Sequence, residues 1–438
     1  MARPVCIVGT GYVGMASLIG LAELGWTVHG YDIIPERVRK LRHGIAPYRE
    51  AGIDELLRKH IDAGRIHFFD TLEEAARDSE LVIVAVGTPA RDDGSADLSA
   101  VYTAVDELSK VMFSAWPTVC IRSTVPPGTS DSLADLVDGW GELVFGPEFL
   151  REGSAVYDFL HPDRIVVGCA STAAAVPYVR LFESLQKPIV FTSRCNAEMI
   201  KCCSNAFLAL KISFANEIAN LCDAVGATSD DVLRGIGYDK RIGPDFLRPG
   251  IGFGGPCFEK DVKSIAHVAG AHNVGHELFA ATLRVNEAQP MRVVEILERE
   301  LRSMAGLTIG VWGLAFKAGT EDVRDSLAVR VVEELSARGA YTVAYDPAIR
   351  VAALPPGSRL VQSALEAADA DALIVLTEWP EFGNINPASY ARTVRRGLVV
   401  DGRNVLDGAR VAAAGLTYCG IGRSVHTTNT PVALALAQ

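Results

Sequence analysis

A glycine-rich stretch at residues 248–261, RPGIGFGGPCFEKD, contains the side chain with the clearest potential for chemistry, Cys257. Its four glycines allow the backbone to come close to a ligand. Lys260 and Asp261 follow the thiol by three and four residues, and if a helix starts near Cys257, this spacing places them on its side. A thiol near a helix N-terminus and a cation is expected to have a lowered pKa, and the thiolate is the nucleophile. The stretch predicts covalent capture of a carbonyl group; the alternative is a small buried hydrophobic residue.

A second chemistry is indicated near the N-terminus. An apolar run at 5–8 leads into GTGYVG at 9–14, a helical pattern follows to about Leu24, and a second strand pattern ends at Asp32. In a dinucleotide-binding turn the three glycines permit the turn, the approach of the pyrophosphate and the packing of helix on strand. Asp32 can accept hydrogen bonds from both ribose hydroxyls and would repel a 2′-phosphate. The pattern therefore predicts an NAD site rather than an NADP site.

The elements that must position these residues alternate between strand and helix patterns. Further strands are predicted at 81–86, 118–122, 143–145, 164–168 and 188–191. Three of them end in polar or glycine-rich turns at 87–89, 123–128 and 146–153. Ligands bind at the carboxyl ends of the strands in an open parallel sheet, so we expect these turns to line one cleft.

A long helix is predicted from about Asn196 to Cys222, because apolar residues recur there at steps of three and four. Lys201 and Asn205 share a face of it, although a solvated helix face is the usual meaning of such a pair. A second helical segment is expected from about Val262 to Leu301.

The last third repeats the pattern of the first, with strands expected at 307–313, 339–346, 372–376 and 397–401. The first turn of this last third lacks G-x-G-x-x-G, so we expect the last third to bind something other than a second dinucleotide.

The predicted fold class is α/β, with two Rossmann-like doubly wound parallel-sheet domains joined by a central helical region with one long helix. The predicted domains are an NAD-binding domain at 1–195, a central helical region at 196–301 and a second Rossmann-like domain at 302–438.

Composition excludes several classes of protein. The 438-residue chain is 49% hydrophobic and 22% charged, with a net charge of −11 and no basic block, so nucleic acid is not an expected partner. Nine scattered cysteines lack metal-site spacing, and their odd number favours a reducing cytoplasm over a disulfide framework. We expect neither a secretory signal nor a membrane span, because no apolar run of suitable length occurs.

A series of ordered motifs resembles the UDP-glucose/GDP-mannose dehydrogenase family over essentially the whole chain. These motifs are GTGYVG at 9–14, VGTP at 86–89, STVPPG at 123–128, PEFLREG at 147–153, DRIVVG at 163–168, KCCSN at 201–205, NEIAN at 216–220, RIG at 241–243, GIGFGGPCFEKD at 250–261, GLAFK at 313–317 and DGRN at 401–404. The resemblance implies an enzyme, a homodimer or an oligomer of dimers, that oxidises C6 of a nucleotide sugar to a carboxylate with two NAD. The implied intermediates are an aldehyde, a thiohemiacetal on Cys257 and a thioester that water hydrolyses.

The resemblance also implies roles for individual residues. Lys201 and Asn205 match the pair that stabilises the oxyanion, and Asp261 matches a general base or water-orienting group, work that Lys201 can share. Glu148 and Glu152 match the acid/base and substrate segment, with Glu152 activating the hydrolytic water, and Thr124 positions water and nicotinamide. An exposed helix start is the alternative meaning of the two glutamates. The matched NAD positions are Gly9, Gly11, Tyr12, Val13, Gly14, Asp32, Arg37, Thr88, Thr124, Glu152 and Arg324. The matched substrate positions are Glu148, Phe149, Leu150, Lys201, Asn205, Arg241, Arg248, Ile251, Gly252, Phe253, Gly254, Phe316, Lys317 and Arg403, of which Arg241 can reach a partner subunit.

Three residues depart from the family pattern. Gly146 stands where Asn is usual, Pro256 replaces Ser or His before Cys257, and Glu259 replaces Pro before Lys260. Cys-Phe-x-Lys-Asp and RIG-x-x-FL-x-PG favour the UDP-glucose branch over the N-acetylmannosamine branch, while a dTDP-glucose or other NDP-sugar acceptor stays open.

A two-electron hydroxyacid dehydrogenase of the 6-phosphogluconate type is the enzyme alternative, and it gives Cys257 no role. An NAD-sensing protein is the non-enzyme alternative, and it is disfavoured because Cys257 and Lys201 are both present.

Overall fold

The computed structural model describes residues 3–423 and 425 of the chain. The strands are β1 Val5–Val8, β2 Val28–Tyr31, β3 Ile66–Phe68, β4 Leu81–Val84, β5 Thr118–Ile121, β6 Glu142–Phe145, β7 Ile165–Gly168, β8 Ile189–Thr192, β9 Thr308–Trp312, β10 Tyr341–Tyr345, β11 Ser358–Leu360, β12 Ala370–Val375, β13 Val394–Asp401 and β14 Thr417–Gly420. The helices are α1 Tyr12–Glu23, α2 Pro35–Arg42, α3 Ile53–Asp62, α4 Leu72–Ala76, α5 Ser99–Ser109, α6 Thr129–Val137, α7 Ala155–Leu160, α8 Thr172–Arg180, α9 Arg194–Val225, α10 Ser229–Gly237, α11 Phe258–Ala271, α12 Glu277–Ala288, α13 Met291–Leu301, α14 Leu327–Ala337, α15 Ala364–Ala367, α16 Pro380–Asn384 and α17 Gly408–Ala413.

The described residues divide into two compact units. Unit one holds the chain up to Asn205 together with Lys260–Gly275, and unit two holds Ala206–Glu259 and the chain from His276 onward. The three domain ranges predicted from the sequence stay a prediction. Among the described residues, no helix is both long and apolar enough to cross a bilayer.

Unit one is built on an eight-stranded sheet in the order β3-β2-β1-β4-β5-β6-β7-β8. Neighbouring strands are parallel except for β6 and β7, which pair antiparallel at Phe145 and Gly168. Val5 and Ile7 of β1 belong to one hydrophobic core, whereas Cys6 and Val8 belong to another. Because alternate side chains point to opposite faces of a strand, both faces of this sheet are covered. The continuous apolar runs in the sequence reflect this double burial.

Unit two has a six-stranded sheet, all parallel, in the order β11-β10-β9-β12-β13-β14. Ala372 and Ile374 of β12 pack in one core, and Leu373 and Val375 pack in another, so this sheet is also covered on both faces. The order corresponds to that of a dinucleotide-binding Rossmann fold. The predicted fold class, with two Rossmann-like sheets and the long helix α9, is confirmed.

The second helical segment predicted at 262–301 is wrong as one piece, since the structure has three helices, α11, α12 and α13, over this region. Asn273 adopts a positive φ of 56°, and the N–H of Val274 bonds to the carbonyl of Ala269, a geometry that ends α11. Pro290, which has no N–H to continue a helix, stands between α12 and α13. Strands β3, β11 and β14 were not predicted; two of them have only three residues, too few for a period to show.

Candidate active site

The glycine-rich turn after β1 has the form that a dinucleotide requires. Gly9 has a φ of 92°, and a side chain there would meet the carbonyl oxygen of Ala85 at 2.8 Å. A side chain at Gly14 would lie 1.9 Å from the carbonyl oxygen of Gly9. No atom of the described residues lies within 4 Å of the place where a side chain at Gly11 would stand. The turn is thus tightly packed at its first and third glycines and open at its second, the one that lets a pyrophosphate approach. These residues therefore fit NAD.

Asp32 lies at the carboxyl end of β2, as the sequence predicted, and is only 5% exposed. One carboxylate oxygen accepts hydrogen bonds from the backbone N–H and the hydroxyl of Thr10, both at 2.8 Å, and from Arg37 Nη1 at 2.9 Å. Burial raises the pKa of Asp32, but the hydrogen bonds from Thr10, Ile34 and Arg37 outweigh it and hold the pKa below the usual value. Arg37 and Thr10 therefore hold the Asp32 carboxylate in place, and Thr10 was missed because a hydroxyl inside GTGYVG carries no separate signal.

Two of the predicted cleft turns are bonded to each other. The hydroxyl of Thr88 donates to the carbonyl of Thr124 at 2.8 Å, and the hydroxyl of Ser123 donates to the carbonyl of Val86 at 2.7 Å. Tyr12 lies against Tyr48 with the ring centroids 4.6 Å apart, and its hydroxyl donates to the carbonyl of Arg151 at 2.6 Å. The segments after β4 and β5 are thus bonded to each other, and the start of α1 is bonded to the 147–153 segment, all within unit one. Tyr48 carried no sequence signal.

Lys201 and Glu148 form a buried ion pair, with Nζ 2.9 Å from Oε1 and side-chain exposures of 5% and 10%. Burial raises the pKa of Glu148, but the charge of Lys201 and the N–H of Leu150 more than offset it, so the pKa lies below the ordinary value. The ring of Phe149 lies 5.4 Å from Lys201 Nζ and 3.6 Å from the guanidinium carbon of Arg164. The solvated-face alternative for Lys201 is therefore wrong.

Asn205, Asp261 and Lys260 form a second polar cluster in unit one. Asn205 Nδ2 donates to Asp261 Oδ2 at 2.6 Å, and Lys260 Nζ donates to Asp261 Oδ1 at 2.6 Å. Asn205 and Asp261 are buried. The structure thus joins residues 56 positions apart in the sequence, which only the packing of α11 against α9 could decide. An ionised carboxylate beside an amide and an ammonium group can orient water or accept a proton.

Cys257 lies in unit two immediately before α11, and its side chain is exposed. A helix does start near Cys257, four residues before the segment that was predicted from about Val262, and the alternative of a small buried hydrophobic residue is wrong. Its assignment as a nucleophile stays a prediction.

Buried amides hold the backbone of the loop that leads to Cys257. Asn216 Oδ1 accepts from the N–H of Gly250 at 2.8 Å, and Gln289 Nε2 donates to the carbonyl of Gly250 at 2.9 Å. Asn286 bonds to both the N–H and the carbonyl of Phe253, at 2.8 and 2.9 Å. These amides were missed as functional residues, although Asn216 stands inside the NEIAN motif. A buried amide that bonds to backbone on both sides fixes a loop that has no regular secondary structure.

The loop also packs closely on the turn after β9. A side chain at Gly254 would lie 2.6 Å from the carbonyl oxygen of Asp325. Gly255 has a φ of 82°, and a side chain there would meet the ring of Phe316 at 2.7 Å. Arg403 Nη1 donates to the carbonyl of Gly252 at 2.8 Å, and Nη2 donates to the carbonyl of Phe316 at 3.3 Å. Four predicted substrate residues, Gly252, Gly254, Phe316 and Arg403, therefore lie together in unit two.

The structure also places the other residues that were predicted to bind NAD or the sugar nucleotide. Arg241 is 88% exposed and pairs with Asp239, and the exposed Arg324 pairs with Asp322. Arg248 is exposed, and Lys317 Nζ lies 5.6 Å from the ring of Phe316. Ile251 lies in the core of unit two, and Leu150 packs against a core of unit one. Because their side chains are engaged in packing, mainly the backbone groups of these two residues are left to contact a ligand. The remaining predicted positions, Val13 and the partly buried Glu152, lie at the start of α1 and in the 147–153 turn.

The acid that ends β10 has a different setting from Asp32. Asp346 is fully buried and accepts hydrogen bonds from the N–H groups of Leu314 and Ala315 and from the indole of Trp379. The Asp346 carboxylate is thus buried and engaged by groups of unit two itself, including the indole of Trp379. This supports the expectation that unit two binds something other than a second dinucleotide.

Comparison with known proteins identifies three matching domain models of one family. The NAD binding domain of the UDP-glucose/GDP-mannose dehydrogenase family matches residues 3–186, the central domain matches 195–288, and the UDP binding domain matches 310–408. UDP-glucose 6-dehydrogenase YwqF of Bacillus subtilis (strain 168) is 39% identical over 431 residues, covering 96% of this chain and 97% of the relative.

Solved structures of dehydrogenases also match this chain. A UDP-glucose dehydrogenase from the archaeon Pyrobaculum islandicum matches with a TM-score of 0.89 and 36% identity, over 97% of this chain and 98% of the other. A UDP-D-ManNAc dehydrogenase from Pyrococcus horikoshii matches with a TM-score of 0.85 and 29% identity, over 96% and 99%. The similarity therefore extends over both units and over the full length of the relatives.

Proposed function

The chain belongs to the UDP-glucose/GDP-mannose dehydrogenase family, and we propose that, as an NAD-dependent nucleotide-sugar dehydrogenase, it oxidises UDP-glucose at C6 to the uronate. UDP-glucose is favoured as substrate because the relatives that share 36 and 39% identity carry that name, whereas the UDP-D-ManNAc dehydrogenase shares 29%. The observation that carries the four-electron reaction is the exposed thiol of Cys257, placed directly before α11. A two-electron alcohol oxidation has no use for such a nucleophile.

NAD, when bound, accepts one hydride in each of two oxidations. In the first, Asp261 takes the proton of the C6 hydroxyl as C6 loses a hydride and becomes an aldehyde. The thiolate of Cys257 then adds to the aldehyde carbon, forming a C–S bond and an alkoxide. Lys201 and Asn205 stabilise that alkoxide, Lys201 as an ammonium group anchored on Glu148.

In the second oxidation the thiohemiacetal carbon loses a hydride and becomes a thioester. Glu152 takes a proton from water, the water oxygen forms a bond to the carbonyl carbon, and the C–S bond breaks to return the Cys257 thiolate. One alcohol, two NAD and one water thus yield one carboxylate, two NADH and three protons. Because the thioester is hydrolysed, the overall reaction is effectively irreversible.

We assign NAD binding to residues 1–195, catalysis and dimerisation to 196–301, and sugar-nucleotide binding to 302–438. The matched ranges 3–186, 195–288 and 310–408 support this division. Arg403 and Lys317 in the last region suit a diphosphate, because arginine and lysine form charge-assisted hydrogen bonds with phosphate oxygens. The scattered, odd-numbered cysteines support a cytoplasmic location.

We also propose a homodimer that forms through α9. Phe207, Phe214 and Leu221 recur every seven residues along this helix and are 61, 45 and 56% exposed. Apolar side chains at that spacing form one stripe, which a second copy of the helix can cover. Light scattering of Phe214→Glu, compared with the wild type, tests this: dimer loss supports the interface, and an unchanged dimer contradicts it.

The proposed reaction is tested by the ratio of NADH formed to sugar consumed. UDP-glucose, dTDP-glucose, GDP-mannose and UDP-N-acetylmannosamine are each incubated with NAD, and the sugar product is identified by mass spectrometry. Two NADH per UDP-glucuronate is the expected result. A ratio of one would indicate a two-electron dehydrogenase, and faster turnover of another sugar nucleotide would correct the substrate.

A further inference from the structure

Arg122, which follows β5, has a buried guanidinium group that the proposed mechanism leaves without a role. The residue is 5% exposed, and its Nε has no hydrogen-bond partner within the described part of the chain. The described residues also provide no carboxylate in ion-pair contact with it. Its guanidinium carbon lies 5.4 Å from the centre of the Phe159 ring. Removing a cation from water without an ionic partner costs free energy, so the fold holds Arg122 in a position that local stability does not explain.

Two neighbours fix the guanidinium. Arg122 Nη1 donates to the hydroxyl of Tyr178 at 2.8 Å and to the carbonyl of Gly146 at 3.3 Å. The Tyr178 hydroxyl itself donates to the Gly146 carbonyl at 3.4 Å. Arg122, Tyr178 and Gly146 thus form a closed buried triangle in unit one.

The triangle explains the glycine at position 146, one of the three departures from the family pattern. A side chain there would lie 2.4 Å from Tyr178 Cζ, 2.5 Å from its hydroxyl and 2.8 Å from Cys120 Sγ. Tyr178 therefore occupies the space that any larger residue at position 146 would need.

The carbonyl that the triangle holds is two residues before Glu148. The charge of Arg122 acts on the Glu148 carboxylate in the same direction as that of Lys201 and helps to hold its pKa below the ordinary value. Among the described residues, Lys201 from α9 and the N–H of Leu150 donate hydrogen bonds to Glu148, and Arg122 from the end of β5 acts on its carboxylate through charge. Two cations and one carboxylate leave a net positive charge in a buried site, which suits a developing oxyanion.

We propose that Arg122 is a positioning residue of the dehydrogenation, which, held by Tyr178, sets the backbone before Glu148 and keeps the Glu148–Lys201 pair ionised. This rests on the proposed function, because it acts through Lys201 on the reacting alkoxide. Arg122 touches neither substrate nor cofactor in this assignment.

The test compares Arg122→Gln, which loses the charge, with Arg122→Lys, which keeps it, and with Tyr178→Phe, which loses only the hydroxyl. Arg122→Gln should lower kcat by about tenfold, as for loss of a charged hydrogen-bonding group, with a much smaller change in KM. The acid limb of its pH profile, where kcat falls as the pH is lowered, should move to higher pH, because Glu148 then gains its proton more easily. Arg122→Lys should keep the wild-type limb, and Tyr178→Phe should lower kcat by roughly threefold.

Glu148→Gln supplies the control: adding Arg122→Gln to it should move the acid limb no further. A folded Arg122→Gln enzyme with wild-type kcat and an unmoved limb would overturn the assignment. If Arg122→Gln fails to fold, a Tyr178→Phe enzyme with wild-type kcat would also overturn it. An inactive wild type would instead contradict the proposed function, so the two failures are distinguishable.

Discussion

The ammonium group of Lys201 lies 2.9 Å from a carboxylate oxygen of Glu148, and both side chains are buried. The two residues are 53 positions apart, on α9 and on the turn after β6. A buried charge that loses its partner is strongly destabilising, whereas replacing both partners by neutral groups is often nearly neutral.

Lys201→Met should therefore destabilise the protein by about 3–5 kcal/mol, and Lys201→Met/Glu148→Gln should recover most of that loss. Chemical denaturation measures both. Turnover should be low in both variants, because neither has the ammonium group that meets the alkoxide. If the double variant were as unstable as Lys201→Met, the loss of stability would not come from an unpaired buried charge on Glu148.

Cys257→Ser should abolish uronate formation, lowering turnover by at least about a thousandfold as for other lost nucleophiles. Binding of NAD, followed by fluorescence titration, should stay close to wild type because the NAD turn lies elsewhere in the sequence. Cys203→Ser is the matched control, since Cys203 is also exposed and has no assigned role. Normal uronate formation by Cys257→Ser would refute the covalent mechanism.

Glu198 of α9 is fully buried and accepts hydrogen bonds from the N–H groups of Gly128 and Ser130 at 2.6 and 2.7 Å. Burial raises the pKa of Glu198, and these bonds offset burial only in part. A carboxyl group whose pKa is raised on folding stabilises the protein below its ordinary pKa, and that stabilisation is lost as the pH rises through the raised pKa.

The melting temperature of wild type minus that of Glu198→Gln should therefore decrease as the pH rises above the ordinary pKa of a glutamate carboxyl group, because glutamine does not titrate. The melting temperatures are measured over a pH range that begins below that ordinary pKa. A constant difference for Glu198→Gln across the range would contradict the expectation.

Gly254→Ala should destabilise the protein by about 1–3 kcal/mol, because the new methyl group would overlap the carbonyl of Asp325 at 2.6 Å. Its KM for the sugar nucleotide should also rise, as the loop moves relative to Arg403. Gly235→Ala, where nothing lies within 4 Å, should leave stability within about 1 kcal/mol. Thermal melts and steady-state kinetics measure both effects, and equal behaviour of the two variants would count against close packing of the loop.

Much of the architecture was predictable from the sequence because its signals are local. An apolar run that ends in a glycine-rich turn predicted β1 and α1, and the same logic located β4, β5 and β9. The start of α11 at Phe258 lies four residues before the predicted start at about Val262. The long segment predicted at 262–301 was wrong as one helix, because its breaks depend on single residues, Asn273 and Pro290, within a continuous helical pattern.

Residue types and their spacing were enough to identify the side chains that can do chemistry: an acid after β2, a lysine and an amide one helical turn apart, and a thiol in a glycine-rich loop. Which of these side chains meet could be learned only from the packing of the folded chain. The Lys201–Glu148 pair, the Asn205–Asp261 bond and the Arg122–Tyr178–Gly146 triangle each join distant segments. The physical reason is that hydrogen bonds and ion pairs act over about 3 Å, so they depend on how sheets and helices pack, and no spacing along the chain reports that.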